Sequence, residues 1–143
     1  MTVEHPFNKI VEGIGVSDIR QFDAEVSSIP GIIKLTLGEP NFDTPEHIKE
    51  AAIQAIKDNH SHYTPNSGIP ELRQAAAEYY NKKFNFNYTG DQVITTIGAT
   101  EGIAASLQAI LNPGDTVIVP TPVFPLYLPI TLVNQGNFIT VDT

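Results

Sequence analysis

The sequence has no cysteine, no tryptophan and a single methionine, and it sets only 8 Lys and Arg against 16 Asp and Glu. Each shortage closes off a class of chemistry. Without cysteine there is no disulfide, no thiolate nucleophile and no Cys-ligated zinc, and the redox compartment is left undecided. The net charge of −8 argues against a nucleic-acid partner, because phosphate contacts need clustered cations. No hydrophobic run approaches the ~18 residues of a membrane span, so no membrane partner is expected. Met1–Ile10 lacks the basic start and apolar middle of a secretory signal, which makes a cytoplasmic location the expectation. Hydrolase chemistry has no support, since no Ser-His-Asp order with a nucleophile elbow is present. What remains is 41% hydrophobic and 17% charged, the composition of a folded chain with a core, and its 143 residues fit one ordinary domain.

The chain divides into an irregular first third and a regular remainder. Ser17–Ile29 places Ile19, Phe22, Val26 and Ile29 at helical spacing behind a Ser cap, with Pro30-Gly31 as a stop. Ile32–Leu37 reads as a strand and Gly38-Glu39-Pro40-Asn41 as a loop. Thr44 is the expected cap of a helix with Pro45 in first position, Glu46 in the first turn and a buried stripe of Ile48, Ala51, Ala52, Ala55 and Ile56. A polar loop follows, then a helix with Pro70 near its start and Leu72, Ala75, Ala76 and Tyr79 on one face. From Val93 the pattern alternates: strand Val93–Ile97, helix Thr100–Leu111, strand Thr116–Val119, helix Pro125–Val133, strand Phe138–Val141. Such alternation predicts an α/β fold with a mostly parallel sheet and helices on both faces. Three strands and two helices are about half of a doubly wound sheet, so the expectation is that only the first part of a larger fold is present.

Several segments carry candidate chemistry. Gly98, Ala99 and Thr100 stand where a strand passes into a helix, and unpaired N–H groups at a helix start can hold a phosphate. The small residues also suit plain packing. Phe124 lies in the loop beyond the Thr116–Val119 strand, where ligands of open α/β sheets gather; it suits stacking on a flat ring or anchoring the loop. Tyr63 could give its hydroxyl to a phosphate or pin its loop by packing. His60 and His62 share a polar loop with no third ligand nearby, so no metal is assigned. Arg20 and Arg73 fall in helices, where ion pairing or a snorkelling stem explains them. Glu101 is explained by the positive end of its helix.

Read together, four segments resemble the N-terminal part of class I aminotransferases, pyridoxal-phosphate enzymes of fold type I. They are LTLGEPNFDTP (Leu35–Pro45), HYTPNSGIPELR (His62–Arg73), ITTIGATEGI (Ile94–Ile103) and NPGDTVIVPTPVFPLY (Asn112–Tyr127). They fall in the family's order and at similar intervals over nearly the whole chain. The resemblance implies a PLP-dependent-transferase-like fold, with residues 1–44 as an N-terminal arm and small-domain segment and 45–143 as the first part of the large cofactor-binding domain. It implies transfer of an amino group between an amino acid and a 2-oxo acid through pyridoxal 5'-phosphate. By the same resemblance Gly98, Ala99 and Thr100 form the phosphate cradle, and Phe124 stacks on the pyridine ring. Gly38 lies against the substrate carboxylate, where a side chain would crowd the ligand. Tyr63 reaches the cofactor phosphate of the neighbouring subunit, which implies a homodimer with shared active sites.

The family's Schiff-base Lys, the Asp that pairs with the pyridine nitrogen and the Arg that clamps the substrate carboxylate all lie beyond the matched region. None of Lys9, Lys34, Lys49, Lys57, Lys82 and Lys83 sits in the Ser-rich motif of the Schiff-base Lys. No catalytic residue is therefore assigned, and the 143-residue chain alone is expected to be inactive. Two other readings share these motifs. One is a carbon–sulfur lyase of the same fold. The other is a non-catalytic ligand-binding module behind a DNA-binding domain, which needs roughly 60 or more residues ahead of the fold, more than precede Gly38.

Overall fold

The computed structural model describes residues 7–15 and 17–143. Residues 1–6 and Val16, which fall within the expected arm 1–44 and partly within the segment read for a secretory signal, lie outside the described residues. The chain forms two compact units, residues 1–37 with 97–143, and residues 38–96.

The first unit contains α1 (Lys9–Glu12), α2 (Asp18–Val26), α5 (Gly98–Ile110), β1 (Thr116–Thr121), α6 (Tyr127–Val133) and β2 (Asn137–Asp142). β1 and β2 pair in parallel, from Thr116 opposite Asn137 to Thr121 opposite Asp142, and α6 forms the crossover between them. A parallel pair cannot be closed by a hairpin, so the intervening helix is required by the pairing itself. This is the alternation expected from the sequence, and it makes the fold α/β. The start of the pair is locked by Asn137 N–H to Asp115 O (2.7 Å), Asn137 Nδ2 to Gly114 O (2.8 Å) and Gly114 N–H to Gln135 O (2.8 Å). Thr131 on α6 is fully buried, its hydroxyl donating to Tyr127 O at 2.8 Å. Gly136 comes so close beneath it that a Cβ there would meet Thr131 Cγ2 at 3.0 Å. The turn before β1 is closed by Asp115, whose carboxylate accepts from Asn112 N–H (2.7 Å) and Nδ2 (3.1 Å). These bonds hold its pKa below the ordinary aspartate value.

The second unit contains α3 (Glu46–Lys57), α4 (Pro70–Phe84) and a 3-10 turn, Gly90–Gln92. Pro70 starts α4 at a first-turn position where its missing N–H costs nothing, and Asn85 ends the helix in the left-handed conformation. At α3 the expected cap is corrected. Pro45 itself occupies the cap position in an extended conformation, so the helix begins at Glu46 and Thr44 makes no cap.

Two expected strands do not form. Residues 32–37 and 93–97 are not paired in a sheet among the described residues. The backbone at Val93 is extended (φ −109°, ψ 132°), but a strand also needs a ladder partner. Here Val93 O accepts from Arg73 Nε (2.7 Å) and Thr95 N–H donates to Ser67 O (3.0 Å), so a side chain and a loop take those bonds.

Few apolar side chains are covered. Among the described residues the buried apolar side chains are Val26, Ala77 and Val119. The stripe of α3 is formed but uncovered, with Ile48 and Ile56 exposed, and on α4 Leu72 and Tyr79 are exposed while Ala77 is buried. Residue spacing sets where a stripe lies on a helix, whereas burial needs a second surface against it. No helix among the described residues is long and apolar enough to cross a membrane.

One polar cluster ties α2 to the segment that follows it. Asp23 accepts from the Thr36 hydroxyl, and Lys34 Nζ lies 3.3 Å from Asp23 Oδ1 and 3.1 Å from Ser27 Oγ. The Thr36 hydroxyl, with Lys34 in support, holds the Asp23 carboxyl below its usual range against the opposing effect of burial. A pKa depressed by folding adds stability that is present above the unfolded value and is lost as pH falls through the folded one. The packing of residues 32–37 on α2 should therefore loosen below about pH 4. Titration of Asp23 by NMR should show its pKa rising toward the ordinary value in Thr36→Val; an unmoved pKa in that variant would exclude the hydroxyl as the cause.

Candidate functional site

Two of the expected site segments lie in the first unit. α5 starts at Gly98, two residues earlier than its spacing suggested, so Gly98, Ala99 and Thr100 form its first turn. Gly98 has φ +76°, a conformation open to glycine and strained for other residues, and a Cβ there would meet nothing within 4 Å. The requirement for glycine is thus conformational, and the space in front of the turn is open. Ile97 holds the cap position and offers no side-chain acceptor. Glu101 instead reaches back and accepts from Ile97 N–H. That gives Glu101 a specific task beyond the helix dipole, and it serves the amide ahead of those of Ala99 and Thr100.

The first-turn amides of a 13-residue helix point along its axis at its positive end. The Ala99 and Thr100 amides and the Thr100 hydroxyl make a set of uncharged donors on exposed residues. Such a set suits a phosphate in a chain whose net charge is −8, because it acts through local dipoles. The residues present therefore fit the phosphate of pyridoxal 5'-phosphate, the cofactor that the resemblance implies.

Phe124 lies between β1 and α6, its ring half exposed and its carbonyl accepting from Tyr127 N–H at 3.3 Å. The turn closed by Asp115 N–H to Asn112 O (3.0 Å) reverses the chain between α5 and β1. The Phe124 loop leaves the C-terminal end of β1, the end at which ligands of parallel sheets bind. Beside that loop, Pro125, Leu126, Leu128, Pro129 and Leu132 face Gly13–Gly15, Ser17 and Asp18 across a largely apolar hollow of about 390 Å³.

Gly38 and Tyr63 belong to the second unit. A Cβ at Gly38 would meet nothing within 4 Å, so no neighbour in the chain itself demands glycine there. The Tyr63 side chain is fully exposed and does not anchor its loop by packing. The loop is held elsewhere, by residues that sequence reasoning passed over. Thr95 donates to Ser67 O through both its N–H (3.0 Å) and its hydroxyl (3.2 Å). Gly68, at φ +98°, lies so close to Thr95 that a Cβ would overlap Oγ1 outright and meet Cγ2 at 2.9 Å. Arg73 was readable only as an ion pair or a snorkelling stem. Its Nε holds Val93 O, and its pairing with the exposed Asp91 is the long, lesser contact at 3.5 Å. Thr-Gly contacts across nearly thirty residues of sequence leave no local pattern; the one signal was a Gly two residues ahead of the Pro that starts a helix.

Residues 30–143 match the family Aminotransferase class I and II, and the chain belongs to that family. Over 142 residues it is 44% identical to a probable N-acetyl-LL-diaminopimelate aminotransferase of Bacillus subtilis, covering 99% of this chain and 36% of that protein. It is 46% identical over 111 residues to an aspartate aminotransferase of Pyrococcus horikoshii, covering 78% of this chain and 28% of that one. The structure of an aspartate aminotransferase from Thermus thermophilus with maleate superposes with a TM-score of 0.90 at 34% identity, over 97% of this chain and 37% of that one. The chain thus spans about a third of the length of the relatives it matches.

Replacing Gly68 by alanine combines a disfavoured backbone conformation with an overlap on Thr95, and should destabilise the second unit by about 2–5 kcal/mol. Adding Thr95→Ala should recover part of that loss in denaturant unfolding. Equal stability of Gly68→Ala and the parent would show that the loop does not rest on Thr95.

Proposed function

We propose that this chain is the N-terminal part of an aminotransferase that moves an amino group between an amino acid and a 2-oxo acid, with pyridoxal 5'-phosphate as cofactor. The observation that carries this reading is the open first turn of α5, with Gly98 at φ +76°, in a chain of the class I and II family. In the bound enzyme the cofactor serves as the electron sink for the reacting carbon. The residues of this chain bind and orient it. Ala99 and Thr100 present backbone N–H groups, and Thr100 its hydroxyl, to the phosphate, and Gly98 leaves room for it. Phe124 covers a face of the ring. Gly38 gives the substrate carboxylate close access to the backbone, and the hollow beside the Phe124 loop is lined well for an apolar side chain.

Tyr63 serves the phosphate of a second subunit, so the enzyme works as a homodimer with shared sites. Its complete exposure supports this, because the side chain has no packing role in its own chain. We assign residues 1–44 to the arm and small domain and 45–143 to the first part of the large domain, and place the enzyme in the cytoplasm. The residue that exchanges the amino group and moves the proton is supplied from outside these 143 residues, and the names of both relatives place the neighbouring proteins among aminotransferases.

In the intact enzyme, Phe124→Ala should weaken cofactor binding about tenfold and shift the absorption of the bound cofactor, since aromatic stacking adds about 0.5–1.5 kcal/mol beyond area burial. Unchanged binding and spectrum would make Phe124 a loop anchor only. Tyr63→Phe removes a hydrogen bond to a charged group and should accelerate cofactor loss roughly ten- to a hundredfold. A fully active monomer would refute the shared site.

A further inference from the structure

Phe124 is carried by a short loop, Pro122–Leu126, and the structure holds both ends of it. At the far end Phe124 O accepts from Tyr127 N–H as α6 begins. At the near end stands Thr121, the last residue of β1, held on one side by β2 and on the other by Thr143, the residue after β2. The Thr121 hydroxyl donates to Asp142 Oδ1 at 2.6 Å, with Val141 O a more distant 3.3 Å away. Thr121 O accepts from Thr143 Oγ1 at 3.1 Å and from Thr143 N–H at 3.4 Å. A hydroxyl has one proton to give, and the short bond to a charged acceptor is the stronger claim on it.

Strand pairing does not require this side-chain bond. The ladder reaches Thr121 opposite Asp142 through the backbone, and valine would suit a strand end as well as threonine. The bond adds a fixed point at the C-terminal edge of the sheet, where the loop departs. Beyond it, Pro122 and Pro125 restrict φ on either side of Val123-Phe124. A short loop stiffened by two prolines has little freedom of its own, so the direction of the Phe124 ring follows from where Thr121 is held. Gripped from β2, that point moves with the sheet and not with solvent.

We infer that Thr121 and Asp142 are positioning residues for Phe124: the Asp142 carboxylate fixes Thr121, and Thr121 fixes the loop that sets the ring over the cofactor. This rests on the reading of Phe124 as the residue that stacks on pyridoxal 5'-phosphate. It adds to that reading a pair of residues which do not themselves touch the cofactor.

The test uses the full-length enzyme and pyridoxal 5'-phosphate, reading its dissociation constant and the induced circular dichroism of the bound cofactor, with far-ultraviolet dichroism and Tm as measures of folding. Thr121→Val and Asp142→Ala should each weaken cofactor binding three- to thirtyfold and reduce the induced signal, and Thr121→Ser should restore both. A residue acting through Phe124 has no further effect once Phe124 is gone, so Thr121→Val with Phe124→Ala should bind no more weakly than Phe124→Ala alone. Losses that multiply in the double variant, or parental binding and dichroism in Thr121→Val, would overturn the anchor. If Thr121→Val fails to fold, Asp142→Ala decides, because it removes the acceptor from an exposed position. Should Phe124→Ala itself leave the cofactor unaffected, the stacking reading and the anchor fall together; loss in Phe124→Ala with none in Asp142→Ala removes the anchor alone.

Discussion

The parallel pairing of β1 with β2 is the interaction on which the first unit depends. Parallel strands run in one direction, so the chain must return over the face of the sheet before it can pair again, and α6 is that return. Everything that turns the chain at the start of the strands is short and tightly bonded, as Asn112–Asp115 and Gln135–Asn137 show. What leaves at the other end is the Phe124 loop. The Phe124 loop is therefore placed at the C-terminal edge of the strands by a constraint that has nothing to do with catalysis.

The same units show how far burial depends on surfaces from elsewhere. α3 has its apolar stripe, yet Ile48 and Ile56 are exposed; Ile33 and Leu35, in a segment with strand-like residues, are 86% and 92% exposed. Such residues are written for contact on both sides of a sheet or beneath a helix. The local order that does exist rests largely on polar contacts at close range. Asp23 with Thr36 and Lys34, Arg73 with Val93, and Thr95 with Ser67 each fix an extended segment that no neighbouring strand supports among the described residues.

Much of this was legible in the residues. The helices of the second unit, the crossover helix and both paired strands fall within a few residues of where spacing and turn chemistry place them, because Pro, Gly and apolar periodicity act over one or two turns. The helix start at Gly98 was legible as small residues ahead of an apolar run, and the family assignment rests on residues 30–143 as a whole. Residues 32–37 and 93–97 were misread as strands for a definite reason. β-branched composition reports a preference for extended backbone, whereas a strand is a pairing, and the partner is not encoded in the segment. Glu101 was read through the helix dipole although its carboxylate has one particular amide to serve, and the choice between those needs coordinates.

The sequence by itself determined the class of fold, the family, the positions of the helix stripes and the small residues at the start of α5, all of which follow from short-range spacing or from motifs kept in order. Only the tertiary structure decided which of those stripes are covered, that Gly68 must be glycine because Thr95 presses against it, and that Thr121 is gripped by Asp142. These are contacts between residues more than twenty positions apart. Sequence spacing is blind to them because they come into being when the chain has turned back on itself.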